Sequence, residues 1–265
     1  MDQSERGKRF EELHRGAAFV IPNPWDAGTA RVLEALGFEA LATTSSGFAF
    51  SLGRPDGAAQ EDEVIEHVRR LTAATELPVS VDLENGYGAA PEQAARAIEA
   101  VAAVGAVGGS IEDFDRDERR LYEPAEAAER IEAAAEAAAR LPFRFMLTAR
   151  AENHLRGNPD LDDTIARLKA YEAAGADVVF APGLRELDDV RAVAAATERP
   201  LNVLGTPALN VEEIAAAGAQ RISVGGSLAW ATIEAMAEVA TRIRDDGDLS
   251  VLRPGTRVAR WLSRD

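Results

Sequence analysis

Short apolar runs alternate with helical patterns along the whole chain, about eight times, and this alternation leaves few folds open. The runs are Ala17–Ile21, Ala40–Thr44, Val79–Asp82, Gly108–Ile111, Phe143–Thr148, Asp177–Phe180, Leu201–Leu204 and Arg221–Val224. Between them stand stretches such as Glu61–Ala74, with Val64, Ile65, Val68 and Leu71 on one face. Pro91 opens another at the first helical position, where its missing N–H costs nothing. Strands that alternate with helices pair in parallel and bury both faces, and eight such units in 265 residues predict a (β/α)8 barrel. A doubly wound sheet would call for a G-x-G-x-x-G turn after the first strand, where the chain has Pro22-Asn23-Pro24. No linker or low-complexity tract interrupts the pattern. A single barrel over residues 1–265 is therefore expected, with a helical extension over about 246–265.

Charge and composition remove whole classes of function. The net charge of −16 disfavours nucleic acid and anionic membrane surfaces, and it makes any arginine near a site informative. With no cysteine, thiolate nucleophiles, disulfides and cysteine-ligated metals are excluded. The charged start has no apolar signal-like core and no run reaches membrane-spanning length, so a soluble, cytoplasmic protein is expected.

In a barrel every strand's carboxyl end faces one rim, where the chemistry takes place. The third strand ends as Val79-Ser80-Val81-Asp82-Leu83-Glu84-Asn85-Gly86-Tyr87-Gly88. Residues two apart on a strand share a face, so Asp82 and Glu84 are expected to project together. Paired carboxylates repel unless a cation lies between them, and hard oxygen donors suit Mg2+, with Mn2+ also accepted. The fourth strand adds Glu112 and Asp113, and the fifth adds Thr148, Arg150, Glu152 and, further on, His154. The second brings the hydroxyl-rich turn Thr44-Ser45-Ser46-Gly47, and the seventh brings Asn202. Together these describe a site for a divalent metal and an anionic oxygen ligand. Other readings compete. Arg150 also fits a structural salt bridge to Asp82 or Glu112, His154 a plain loop position and Asn202 a turn cap. Gly225-Gly226-Ser227 fits close helix packing better than a phosphate cradle, and His14 and His67 read as surface helix residues.

The chain also resembles the isocitrate lyase/phosphoenolpyruvate mutase superfamily over roughly Phe19 to Met236. Pro24-Trp25-Asp26-Ala27-Gly28, Thr43-Thr44-Ser45-Ser46-Gly47-Phe48 and Ser51-Leu52-Gly53-Arg54-Pro55-Asp56 carry the likeness first. Asp82 through Gly88, Ile111-Glu112-Asp113, Thr148-Ala149-Arg150, Ala174-Gly175-Ala176-Asp177 and Leu201-Asn202-Val203 follow in the same order. The resemblance implies Mg2+ held mainly by Asp82, with Glu84, Glu112 and Asp56 on its waters. It implies a small carboxylate substrate, its carboxylate on Ser45, Ser46 and the Gly47 and Phe48 amides, and Arg150 on its oxygens. Asp56, Glu112 and Arg150 are then the catalytic candidates, with Asn202 and His154 as further substrate contacts. It also implies a homo-oligomer, expected as a tetramer, with the helix Leu228–Asp245 exchanged between partners.

The segment that selects the reaction departs from the family. Where its lyases carry a Lys-Lys-Cys-Gly-His-type loop and its mutases an Asn-Ser-Leu gate, this chain reads Glu112-Asp113-Phe114-Asp115-Arg116-Asp117-Glu118-Arg119-Arg120-Leu121-Tyr122. Leu204-Gly205 stands where the lyases usually place a glutamate. The leading expectation is a carbon–carbon lyase acting on a 2-methylisocitrate- or oxaloacetate-like acid, with Tyr122, His154 or water in place of the thiol. A phosphonomutase or P–C hydrolase is the alternative, and a non-catalytic oxo-acid-binding barrel stands behind both.

Overall fold

In a computed structural model, which describes residues 1–263, the elements follow the predicted alternation. Gln3–Arg15 (α1) precedes Phe19–Ile21 (β1), Ala27–Ala35 (α2), Leu41–Ala42 (β2), Ser45–Ser51 (α3) and Glu61–Ala74 (α4). Val79–Asp82 (β3), Pro91–Ala102 (α5), Gly108–Glu112 (β4), Phe114–Asp115 (β5), Arg120–Leu121 (β6) and Pro124–Ala139 (α6) come next. Met146–Arg150 (β7), Leu161–Ala173 (α7), Val178–Phe180 (β8), Leu187–Ala196 (α8) and Leu201–Leu204 (β9) continue it. Val211–Ala216 (α9), Arg221–Ser223 (β10), Ser227–Asp246 (α10), a short 3-10 turn at Leu249–Val251 and Thr256–Leu262 (α11) complete it.

Eight strands pair in parallel in the order β1-β10-β9-β8-β7-β4-β3-β2, while β5 and β6 form a separate antiparallel ribbon. The seam between β1 and β2 is drawn together by the Ala42 amide, which donates to the Pro22 carbonyl at 3.1 Å. Asn23 braces it, donating to the Thr43 carbonyl at 3.0 Å and accepting from the Val224 amide at 2.9 Å. The sheet is thus a nearly closed (β/α)8 barrel. Its main core lies between strands and helices, around Val81, Ile98, Ile111, Leu147, Val179 and Ile222. No described helix is long and apolar enough to cross a membrane.

The charged N-terminal stretch is a helix, α1, capped by Asp2 and Glu5, and it closes the barrel's lower mouth with Phe10 and His14. Two expectations need correcting. His14 and His67 are not surface residues. His14 is 5% exposed between the rings of Phe10 and Phe19, and His67 stacks on Phe48 at 4.0 Å. Burial, and for His14 Arg221 as well, lowers their titration to about 3 for His14 and about 4 for His67, so both are neutral. Finally, α3 begins where a turn was expected, because Thr44 caps it, its Oγ1 accepting from the Gly47 amide.

Candidate active site

A cavity of about 190 Å3 opens at the carboxyl ends of the strands and runs down into the barrel. Ser45, Ser46, Asp56, Asp82, Arg150, Asn202 and Arg221 are all in its wall. The sequence-predicted residues therefore divide. Those seven, apart from Arg221, were expected at the site. Glu84 and Glu112 stand behind that wall, and Gly47, Phe48 and His154 are also outside it.

The third strand explains part of this division. It ends at Asp82, and Glu84 takes φ 52°, the left-handed region that a residue with a Cβ seldom adopts. The two-residue alternation is broken there, so Glu84 does not project beside Asp82. Its carboxylate turns to the Arg116 Nε at 2.8 Å. The Gly86 amide closes the turn on the Leu83 carbonyl at 2.8 Å, and any Cβ at Gly86 would lie 2.8 Å from the Ala94 backbone. Arg130, buried in α6 and stacked on Tyr122 at 4.5 Å, donates to the Asn85 and Ala89 carbonyls and fixes the turn from behind. A strained carboxylate held by this much surrounding structure is a common signature of a functional site.

Asp82 is the best-placed ligand for a cation. Its Oδ2 accepts from the Ser45 amide at 3.1 Å and its Oδ1 from the Glu84 amide at 3.3 Å. Arg150 Nη1 lies 3.7 Å from Oδ1. Burial pushes the Asp82 carboxyl up, but Arg150 and the Ser45 donors outweigh it and keep it ionised below its ordinary range. The other two acids behave differently. Burial raises Glu84 to about 7 against the pull of Arg116, and raises Glu112 to about 8 against Arg150, with Glu152 adding repulsion.

Arg150 is both a cavity-wall residue and an ion-pair partner, so the two readings of it coexist. Its Nε donates to Glu152 at 2.5 Å and its Nη1 lies 3.4 Å from Glu112. Arg116 reaches back from the β5–β6 ribbon to Glu84, Glu112 at 3.5 Å and Asp56 at 3.8 Å. Both Glu112 oxygens are buried with no hydrogen-bond donor, an unusual state for a carboxylate.

That orphaned pair bears on the Mg2+ expectation. Among the described residues no three acidic or histidine side chains converge into a metal cage. Mg2+ does not need one, since it binds through one or two carboxylates and keeps several waters. Asp82 facing the cavity, with Glu84 and the unsatisfied Glu112 behind it, fits an ion held directly by one acid and through water by others.

The remaining expected residues have other positions. The Gly47 and Phe48 amides are used within α3, on Thr44 Oγ1 at 3.4 Å and the Thr44 carbonyl at 3.0 Å. Gly226 lies so close to Ser46 and Trp230 that a Cβ would meet the Ser46 Oγ at 2.6 Å, so the Gly225-Gly226 pair packs α10 against α3. Tyr122 is fully buried and bonded to Asn85, away from the cavity wall. Asp113 accepts from Tyr171, Arg167 and the Glu152 amide and is a structural hub of the barrel.

Sequence reasoning missed Arg116 and Arg221 as partners in the site, while Glu152, expected among the strand-five residues at the rim, lies there as the partner of Arg150. Arg116 had a signal, lying four residues after Glu112. Arg221 had another, a charge two residues from Ser223 on one face of an otherwise apolar strand.

Comparison with known proteins gives the family and fold that this chain resembles. The phosphoenolpyruvate phosphomutase family matches residues 10–244. The 2-methylisocitrate lyase of Shewanella oneidensis is 32% identical over 256 residues, spanning 91% of this chain and 86% of that protein. A solved Burkholderia cenocepacia protein assigned to the lyase/mutase class has a TM-score of 0.95 at 50% identity, over 99% of this chain and 98% of its own. Oxaloacetate acetylhydrolase, solved with its product oxalate, has a TM-score of 0.88 at 27% identity, over 98% and 94%.

Proposed function

The chain belongs to the phosphoenolpyruvate phosphomutase family, within the isocitrate lyase/phosphoenolpyruvate mutase superfamily, and we propose that it is a Mg2+-dependent carbon–carbon lyase acting on a 2-oxo or 2-hydroxy carboxylate. Asp82 would hold the ion directly, with Glu84, Glu112 and Asp56 on its waters, and Mn2+ would substitute. When bound, the ion supplies a Lewis acid toward the substrate oxygen on which charge develops.

The chain's own residues do the rest. Arg150 presents a planar fork to the same oxygen and to the adjacent carboxylate, already oriented by Glu152 before substrate arrives. The Ser45 and Ser46 hydroxyls bind that carboxylate from α3, while the Gly47 and Phe48 amides, spent within that helix, hold the two serines in place. Asn202 holds the opposite wall. Asp56, in the wall and 3.8 Å from Arg116, is the carboxylate this reading assigns to the proton transfer, since the chain has no thiol and Tyr122 is committed elsewhere. His154, expected as a further substrate contact, lies outside the wall and takes no part in this reading.

The observation that carries the reading is the shared wall of one cavity, where Asp82 and Arg150 stand 3.7 Å apart. The test is NMR of the protein with Mg2+ and a mixed panel of 2-hydroxy acids, 2-oxo acids and phosphonates. Release of a 2-oxo acid in proton spectra is expected. Turnover seen only in phosphorus spectra would replace the lyase by P–C chemistry, and silence in both would leave a binding protein. The same reading includes a homo-oligomer, expected as a tetramer, with α10 exchanged between partners. In this chain alone α10 buries only Ala229 and exposes Trp230 and Met236. Sedimentation as a stable monomer at micromolar concentration would overturn that.

A further inference from the structure

The lower end of the cavity carries a buried cation that the chemistry above does not use. Arg221 opens β10 and is 5% exposed, yet it lines the cavity. Its Nε donates to Asn202 Oδ1 at 2.8 Å and its Nη2 to Thr148 Oγ1 at 3.0 Å, while Nη1 faces His14 Nε2 at 3.3 Å. His14 Nδ1 lies 2.7 Å from the Phe10 carbonyl, a contact that requires an N–H there and leaves Nε2 as the acceptor. Every one of these partners is uncharged. Among the described residues no carboxylate pairs with Arg221, and burial alone lowers its titration to about 9.

A guanidinium taken out of water with no counter-charge is expensive, and such groups are rare in cores unless something pairs them. Asn202 in turn donates to Ser223 Oγ at 3.0 Å, so its orientation is fixed and it offers Arg221 only a neutral oxygen. The cavity wall carries Ser80, Ser110, Ser223 and Ala42 alongside the larger Ile21, Phe180 and Leu204, where barrels of this kind ordinarily pack Val, Ile and Leu throughout. The small side chains among them leave the space open from the rim down to the cation.

We propose that this floor is a subsite for a second anionic group of the substrate, a carboxylate, paired with Arg221 and flanked by the Ser223 hydroxyl. The inference rests on the reading above, in which the first carboxylate lies at the rim beside Arg150. The substrate class is then a 2-oxo or 2-hydroxy acid with at least one further carboxylate at its far end. One guanidinium and no other cation matches a singly charged carboxylate better than a doubly charged phosphonate. An ion pair also favours keeping that group as carboxylate over losing it as CO2, so the subsite binds and measures length.

The experiment is calorimetric titration of oxalate, succinate and glutarate, each with Mg2+, into the parent protein, Arg221→Met and Arg221→Lys. Succinate or glutarate should bind the Met variant about ten- to a hundred-fold more weakly, the scale of a charged hydrogen bond. Oxalate, too short to span rim and floor, should be unaffected, and the Lys variant, which keeps the charge, should retain part of the longer acids' affinity. Equal succinate and glutarate binding by the parent and Arg221→Met would overturn the subsite while leaving the rim reading in place. So would a Lys variant as weak as the Met variant, which would make the role structural. Failure of oxalate to bind the parent would instead overturn the rim reading. A measurement on the parent alone covers variants that do not fold: succinate or glutarate must raise the unfolding temperature more than butyrate, and no difference overturns the subsite.

Discussion

Two arginines reach into one cavity and live in opposite electrostatic worlds. At the rim Arg150 has Glu152, Glu112 and Asp82 around it, and despite the cost of burial its charge is reinforced. At the floor Arg221 has an amide, a hydroxyl and a neutral imidazole, and its charge is opposed by burial alone. The rim is crowded with anions awaiting a cation, and the floor holds a cation awaiting an anion. A dianion bound together with a divalent ion satisfies both. Neither region is explained well by the stability of the empty protein.

The comparison is broken most directly at the ion. Asp82→Asn keeps the oxygen that accepts from Ser45 or Glu84 but removes the charge. Mg2+-dependent turnover should fall about 10³-fold or more, since a Lewis acid supplies several kcal/mol of transition-state stabilisation. A steady-state assay across a Mg2+ titration checks this, and full activity of a folded variant in chelator would remove the ion from the reading.

Stability without ligand tests the contrast itself. Arg150→Met leaves Asp82 without its cation and weakens the pairing of Glu152 and Glu112, which keep Arg156 and Arg116, and should cost about 3–5 kcal/mol, the scale for breaking a buried pair. Arg221→Met strands no anion and should cost about 1–2 kcal/mol, the lost hydrogen bonds to neutral acceptors. Denaturant unfolding of the two variants should separate them in that order; the reverse order would make Arg221 the structural residue of the pair.

Arg150→Lys sharpens the rim further, because it keeps the charge and loses the fork. Oxalate with Mg2+ should bind it about 1.5–3 kcal/mol more weakly by calorimetry. Next in size is a pH effect. Glu84 and Glu112 titrate at about 7 and about 8 in the folded protein, against an ordinary 4.5, so folding takes up protons between those limits. The stability tied to their neutral forms is complete below pH 4.5 and is lost as pH rises through 7 and 8. An ion that needs these groups ionised gains in the same window, by up to about tenfold in affinity per pH unit for each proton released. The rise in unfolding temperature on adding Mg2+ should therefore be larger at the alkaline end, and a pH-independent rise would detach Glu84 and Glu112 from the ion. Ser46→Ala is the smallest change, about 1 kcal/mol of oxalate affinity in the same calorimetric titration, because it removes a single neutral donor.

What the sequence determined alone was the frame and the inventory. Hydrophobic alternation is local and cumulative, so it specified eight strands, their helices and the rim on which Asp82, Arg150 and Asn202 stand. Composition excluded a thiol, and ordered motifs identified the superfamily. Where side chains turn was decided only in three dimensions. Glu84 left the face it shares with Asp82 on an ideal strand because the turn, held by Gly86 and Arg130, forced a left-handed residue there. Arg116 met Glu84 and Asp56 across a ribbon too short to show as a pattern. His14, in a helix read as a charged surface start, came to rest against Arg221, 207 positions away, on the floor of the cavity. Such pairings depend on the closure of the barrel, which brings the first and last strands side by side, and no local window of sequence contains both partners.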